Sequence, residues 1–247
     1  MKPVRAAPML LSSIVLVLAS LACAQSSSPA ATEPAAPPAA TSEAAQPEPT
    51  QIPEPEFEVL FEETFADNEN NWYVGEYEDA AASIDGGKYN VTIITQDYYA
   101  WFESPVSLSE VDVTFDTEFR GGAPENASYG LLCHYKDNDN FYRFSIAPDG
   151  YFNVYKRVGG EDTTLVEWKT TGALELGTGV VNKMRVICSD DHLILYANDT
   201  LLADVVDTSH TGGSFALTAG FGLAKEEDKT PIEVSFSNLT VLKPASD

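Results

Sequence analysis

Asn182 to Asp207, NKMRVICSDDHLILYANDTLLADVVD, reads as three short strands joined by two tight turns. Met184, Val186 and Cys188 alternate with Arg185, Ile187 and Ser189, which is the period-2 pattern of a strand with one buried face. Asp190-Asp191 stands where a two-residue hairpin loop belongs. Leu193, Leu195 and Ala197 continue the apolar face, Asn198-Asp199 makes a second turn, and Leu201, Ala203 and Val205 follow. Asn and Asp suit such turns because they tolerate positive φ better than other side chains.

The same alternation recurs on either side. Val111, Val113, Phe115, Thr117 and Phe119 alternate with Asp112, Thr114, Asp116, Glu118 and Arg120. Tyr129 to Tyr135, Phe141 to Ile146, Tyr151 to Val158, Thr163 to Lys169, Phe215 to Leu223 and Ile232 to Leu242 read as further strands. Asp85-Gly86-Gly87 and Pro148-Asp149-Gly150 mark turns. No amphipathic helix and no repeat of fixed period is present. A dozen or more short strands at regular spacing predict an all-β, antiparallel sandwich or jelly roll over residues 57–242, with a short tail at 243–247.

The first 56 residues have a different composition. Lys2 and Arg5 precede an apolar run from Met9 to Ala22, the pattern of a signal peptide over residues 1–22. Ala19-Ser20-Leu21-Ala22-Cys23 resembles a bacterial lipobox, in which Cys23 is lipidated and becomes the new N-terminus. Cleavage after Ala24 with plain secretion is the alternative. Residues 23–56 hold eight of the chain's 15 prolines and none of its 16 glycines. With little to bury beyond alanine, they read as a disordered Pro/Ala/Ser/Glu-rich tether. The expected location is outside the cytoplasm, on a lipid anchor at the cell surface or periplasm, or secreted.

Against 38 acidic residues stand 14 basic ones, a net charge of −24. Such a surface repels nucleic acid and anionic head groups, so membrane contact is expected through the lipid alone. A monomer is expected. Beyond Cys23 the chain has two cysteines, Cys133 and Cys188. In an oxidising compartment they are candidates for a disulfide, the alternative being two buried free thiols.

Several stretches together resemble a known family. They are the opening Phe61-x-Glu63-x-Phe65 with Trp72, then Tyr129-Gly130-Leu131-Leu132-Cys133 and Asn140-Phe141-Tyr142-x-Phe144. After Gly150 come Asn182-x-x-Arg185-Val186-x-Cys188 and Leu193-x-Leu195-Tyr196-x-Asn198. The pattern resembles bacterial extracytoplasmic domains of the concanavalin A-like lectin/glucanase superfamily, close to those called 3-keto-disaccharide hydrolase-like or family 16 glycoside hydrolase-like. The resemblance implies a jelly roll whose concave sheet binds glycans.

Chemistry is less legible. Family 16 glucanases carry a Glu-x-Asp-x-(x)-Glu strand, and Glu110-Val111-Asp112 imitates its first half, with Thr114 or Phe115 in place of the second glutamate. Retaining hydrolysis needs two carboxyl groups about 5–5.5 Å apart. Glu110 and Asp112 are therefore weak catalytic candidates, the alternative being the wetted face of a half-buried strand. His134, His192 and His210 lack metal-ligand spacing, and no serine sits in a nucleophile elbow. Asp137 and Asp139, and Asp190-Asp191, could hold a structural calcium, although tight turns use the same residues. No other cofactor is expected.

The Pro148-Asp149-Gly150 hairpin is more informative. A type I turn with Gly150 left-handed would pair Ala147 with Tyr151, Ser145 with Asn153 and Arg143 with Tyr155. Tyr142, Phe144, Ile146, Phe152 and Val154 then face the core. Phe141, Arg143, Ser145, Tyr151, Asn153, Tyr155 and Arg157 share the other face. Rings that stack on a pyranose and donors that read its hydroxyls make this a candidate carbohydrate-binding surface, the alternative being an ordinary solvent face. Trp101 and Trp168 could flank it, but Trp168 shares parity with Val166 and is expected in the core. The expected partner is carbohydrate or another envelope component. Non-catalytic binding, glycoside hydrolysis and a structural interaction role remain open at this point.

Overall fold

A computed structural model describes residues 58–222 and 230–244. The signal segment, Cys23, the tether and the last residues of the tail lie outside them. Fifteen strands are described: β1 (Val59–Glu63), β2 (Gly75–Glu76), β3 (Ala80–Asp85), β4 (Lys88–Ile93), β5 (Tyr98–Glu103), β6 (Val111–Gly121), β7 (Ala127–Asp137), β8 (Asn140–Ile146), β9 (Tyr151–Val158), β10 (Glu161–Thr170), β11 (Val181–Ser189), β12 (His192–Ala197), β13 (Thr200–Val206), β14 (Ser214–Phe221) and β15 (Ile232–Leu242). One turn of 3-10 helix at Pro124–Asn126 precedes β7.

All pairings are antiparallel and fall into two sheets. The larger runs β13-β12-β11-β6-β15-β4-β3-β2, with β1 also pairing β15; the smaller runs β10-β9-β8-β7-β14-β5. The expected sandwich is therefore present. The Asn182–Asp207 stretch supplies β11, β12 and β13, consecutive antiparallel neighbours at one edge of the larger sheet. Its second turn has both central residues left-handed, Asn198 at φ 46° and Asp199 at φ 63°, the geometry that matches strand twist in a two-residue hairpin.

Alternation explains the core. Val113, Phe115, Met184, Val186, Leu193 and Leu195 from the larger sheet meet Leu131, Tyr142, Phe144, Val154 and Leu217 from the smaller, and all are buried. Cys133 of β7 and Cys188 of β11 form a disulfide across this interface, with Cα atoms 6.5 Å apart. The bridge joins the two layers.

The crossover from β13 to β14 is pinned by polar contacts at one end of the sandwich. Tyr142 Oη donates to Asp207 Oδ1 at 2.7 Å and accepts from the His210 N–H at 3.0 Å. Lys156 Nζ donates to Asp207 Oδ2 at 2.5 Å and to Ser209 Oγ at 2.7 Å. Burial alone would raise the Asp207 pKa, but the hydrogen bonds from Lys156, Ser209 and Tyr142 overcome it and hold the carboxyl well below the usual carboxylate range. A carboxyl depressed in the fold adds stability above its unfolded pKa of about 3.9, and that stability is lost as pH falls below it. In urea unfolding at a series of pH values, wild type is expected to exceed Asp207→Asn at pH 7 by a margin that shrinks below about pH 4. A margin constant down to pH 2 would contradict this.

Candidate functional site

The outward face of the smaller sheet is recessed and holds the candidate site. Hairpin β8–β9 pairs Arg143 with Tyr155 and Ser145 with Asn153, the register expected from the Pro148-Asp149-Gly150 turn. Gly150 is left-handed at φ 93°, and its N–H donates to the Ala147 carbonyl at 3.0 Å. The segment after β10 braces this turn from behind: Thr171 N–H donates to the Gly150 carbonyl and Gly177 N–H to that of Pro148.

This face differs from an ordinary solvent face. Phe141, Arg143, Ser145 and Asn153 point away from the sandwich core, yet each is at most 5% exposed. Their cover comes from elements that the hairpin pattern does not reveal. Phe141 packs with Leu132 and Ala216 under Trp101, Tyr135 and Tyr155. Tyr99, on edge strand β5, pairs in register with Gly220 of β14. A Cβ on Gly220 would lie 1.9 Å from the Tyr99 ring, so the missing side chain lets that ring lie flat on the sheet. The Arg143 guanidinium then sits 4.0 Å from the Tyr99 ring centroid and 5.6 Å from that of Tyr155.

Three adjoining depressions share Tyr99 as a wall. The central one, ≈ 500 Å³, is lined by Asp97, Trp101, Arg143, Asn153, Tyr155 and Trp168, among others. That volume falls within the roughly 300–1,000 Å³ of small-molecule sites. A second, ≈ 410 Å³, lies toward Glu125, Ser128, Asp149, Tyr151 and Trp168. A third, ≈ 470 Å³, wraps the β5 edge, where the Tyr73 and Tyr77 rings stack 5.0 Å apart.

Trp168 corrects an expectation. Parity with Val166 placed it in the core, but the β9–β10 register slips between Val166 and Lys169. The slip breaks the alternation, and Trp168 emerges 45% exposed at the groove wall.

Buried polar atoms without protein partners lie here: Arg143 Nε and Asn153 Oδ1 in the central depression, Ser145 Oγ beneath its floor, and Asp149 Oδ1 in the second depression. Buried polar atoms in folded proteins are nearly always satisfied, by ordered water where not by protein, so these atoms are open to water or to a bound molecule. Of the six residues expected to bind, Arg143, Asn153, Tyr155 and Arg157 line the central depression and Tyr151 the second, while Ser145 lies beneath the floor. Arg157 is engaged by Asp162 in two hydrogen bonds of 2.7 and 2.9 Å, which raise its pKa. Burial raises the Asp149 pKa and neighbouring Glu125 adds to the shift, outweighing the backbone N–H donors that lower it.

Glu110 and Asp112 lie elsewhere. Asp112 belongs to the larger sheet, is 4% exposed, and receives two hydrogen bonds from Arg185 at 2.7 and 2.6 Å. Glu110 accepts from the Asp190 N–H at 2.6 Å. Neither lines the groove. Asp137 Oδ1 accepts from the Asp139 N–H and the Asn140 amide, both at 2.8 Å, so that carboxylate serves its own turn. Among the described residues no group of three or more His, Cys, Asp or Glu side chains is placed to hold a metal.

No family model and no curated protein matches the chain. Solved structures do. A carbohydrate-binding module, CBM66 from Bacillus subtilis, aligns with TM-score 0.50 and 16% identity over 70% of this chain and 92% of that one. A Bacillus licheniformis β-glucanase aligns with TM-score 0.56 and 10% identity over 76% and 99%. A Bacillus subtilis protein of unknown function with a galectin-like fold aligns with TM-score 0.55 and 9% identity over 76% and 98%. The fold is a concanavalin A-like jelly roll. At these identities the likeness fixes the architecture of the jelly roll, and the ligand must be argued from the groove itself.

Proposed function

We propose that this chain is an exported, surface-tethered, non-catalytic module that binds carbohydrate in the groove of its smaller sheet. The observation that carries the reading is the unpartnered polar atoms of Arg143 and Asn153 in a depression that the Tyr99, Tyr155 and Trp168 rings also line. Rings accept the apolar face of a pyranose, and its hydroxyls both donate and accept, as the orphaned atoms require. The shared fold of a carbohydrate-binding module and a β-glucanase supports the same reading. The lipobox-like Cys23 and the proline-rich tether support display on a surface.

Calorimetric titration across a glycan panel tests it. Trp168→Ala and Tyr155→Ala are each expected to weaken binding roughly tenfold, the loss of one stacking platform. Trp168 is half exposed, so its removal should leave the unfolding midpoint nearly unchanged. Absence of binding to every glycan, or unaltered affinity in both variants, would refute the proposal.

Glycoside hydrolysis is the second reading, and a specific observation favours it. Glu125 and Asp149 share a depression, and the raised Asp149 pKa suits a general acid. Release of reducing ends by wild type and not by Asp149→Asn would establish turnover.

A further inference from the structure

We propose that the sugar seated over Arg143 carries a carboxylate, so that the groove selects an oligosaccharide containing a uronic acid unit. The inference rests on the carbohydrate reading and narrows it.

Arg143 is the anomaly in the electrostatics of the fold. This chain has 38 acidic and 14 basic residues, and it pairs its partly buried cations with them. Arg157 pairs with Asp162, Arg185 with Asp112 and Lys156 with Asp207. Arg143 is 3% exposed, more buried than any of these. Among the described residues it forms an ion pair with no carboxylate. A guanidinium cannot shed its proton to escape burial; the Tyr99 and Tyr155 rings offset part of the cost, and an anion would offset the rest.

What surrounds Arg143 defines the shape of that charge. Nη1 donates to Tyr155 Oη at 3.2 Å and Nη2 donates to Ser128 Oγ at 3.0 Å. Both partners are hydroxyls, which have one proton each. With a lone pair taken by the guanidinium, each hydroxyl keeps its own proton to give to a ligand. Nε remains without a partner. Arg143 therefore brings a cation to the central depression, with the Tyr155 hydroxyl beside it and the Ser128 hydroxyl at the margin of the next. Asn153 Oδ1 is the orphaned acceptor beside them. A donor array with a single positive charge complements an oxyanion better than the hydroxyls of a neutral sugar, which leave the charge uncompensated. The Tyr99, Tyr155 and Trp168 rings would hold the pyranose that bears it.

The neighbouring charges limit how many such units fit. Asp97 lies at the same depression, with Asp162 already neutralised by Arg157. Glu125 and Asp149 line the next one. A polyanion laid along all three would meet these carboxylates, whereas one charged unit over Arg143 flanked by neutral sugars would not. The expected ligand is thus a mostly neutral glycan with an isolated uronate.

Calorimetry on the full chain with three matched probes tests this. They are a short glucan oligosaccharide ending in one glucuronate, its carboxyl-reduced neutral counterpart, and the same neutral oligosaccharide with one 6-sulfate. The uronate is expected to bind at least about tenfold more tightly than the neutral form, the gain of a charge-assisted contact. That advantage should narrow as salt rises, should disappear in Arg143→Met and should survive in part in Arg143→Lys. The comparison of uronate with neutral probe on wild type needs no variant, so misfolding of Arg143→Met cannot mask the answer. Neutral binding equal to or tighter than uronate, lost in Tyr155→Ala, would overturn the carboxylate while leaving the carbohydrate reading intact. Sulfate binding as tightly as uronate would show a site that reads charge alone and would overturn the carboxylate assignment. Binding of none of the three, with no response on a wider glycan panel, would overturn both.

Discussion

Replacing Cys133 and Cys188 together by alanine is expected to lower the stability of the domain by about 4 kcal/mol. The two residues are 55 apart in sequence. In the chain-entropy account, opening a covalent loop of that size returns roughly this much freedom to the unfolded chain. Against a total of about 5–15 kcal/mol for ordinary domains, such a loss is large. Its structural reach is also wide. Cys133 lies on β7, the strand beside β8 in the groove sheet, and the adjacent Leu132 packs under Phe141 on the groove side. Cys188 lies on β11 in the other layer, paired with Val111 of β6. Both cysteines are wholly buried, so mild reductant should leave the native protein oxidised and act only once it unfolds. Urea unfolding of the double variant and of wild type gives the measurement: a fall in midpoint, with a slope that steepens because the freed unfolded chain exposes more surface. A loss below about 1 kcal/mol would mean that the core, and not the cross-link, holds the layers together.

The architecture was legible because alternation has a period and turns have a composition. Met184, Val186 and Cys188 could lie only on one face, and Asn198-Asp199 and Pro148-Asp149-Gly150 set the registers on either side of them. The hairpin that carries Arg143, Asn153 and Tyr155 was legible for the same reason, since a short loop fixes its own pairing. What failed depended on contacts between distant segments. Tyr99 reaches the site because β5 pairs β14, 118 residues apart at the Ala100–Thr218 hydrogen bond, and nothing local to Tyr98–Glu103 announces that partner. Trp168 failed through a register slip, which sequence parity cannot register. Asn182 and Asn198 show the opposite case. They stand out as family-like positions, yet their amides bond one another at 2.8 Å and hold the carbonyls of Glu175 and Ala173. Their work is to fasten the segment that braces the Pro148–Gly150 turn, one step removed from the groove.

Glu63→Ala is expected to destabilise the fold by about 3 kcal/mol or more, although Glu63 lines none of the three depressions and, among the described residues, pairs with no cation. The carboxylate is 5% exposed and collects three donors. Oε1 accepts the Phe65 N–H at 2.6 Å; Oε2 accepts Asn70 Nδ2 at 2.8 Å and Trp72 Nε1 at 3.0 Å. Truncation frees Asn70 to turn to water, because it is exposed, but strands the Phe65 and Trp72 donors, whose residues are 0% and 2% exposed. Each stranded buried donor costs about 1–3 kcal/mol. A further cost comes from the backbone. Phe65 is left-handed at φ 54°, a conformation that a bulky aromatic residue adopts only when its surroundings impose it. The bond from its N–H to Glu63 is one such restraint. Phe65, Trp72 and Tyr89 form a ring cluster with centroids 5.4–5.5 Å apart, and Tyr89 Oη donates to the Tyr73 carbonyl at 2.6 Å. Loss of Glu63 should therefore loosen Tyr73 as well, and with it the stacked Tyr73–Tyr77 pair that lines the third depression. The Phe-x-Glu-x-Phe opening followed by Trp72 thus describes a hydrogen-bonded clasp and not a catalytic carboxylate. Glu63→Gln keeps a carbonyl acceptor for one donor and should fall between wild type and Glu63→Ala in urea midpoint, with tryptophan fluorescence red-shifted most in the alanine variant. Equal midpoints for the glutamine and alanine variants would show that packing of the three rings, and not the carboxylate, closes this end of the sandwich.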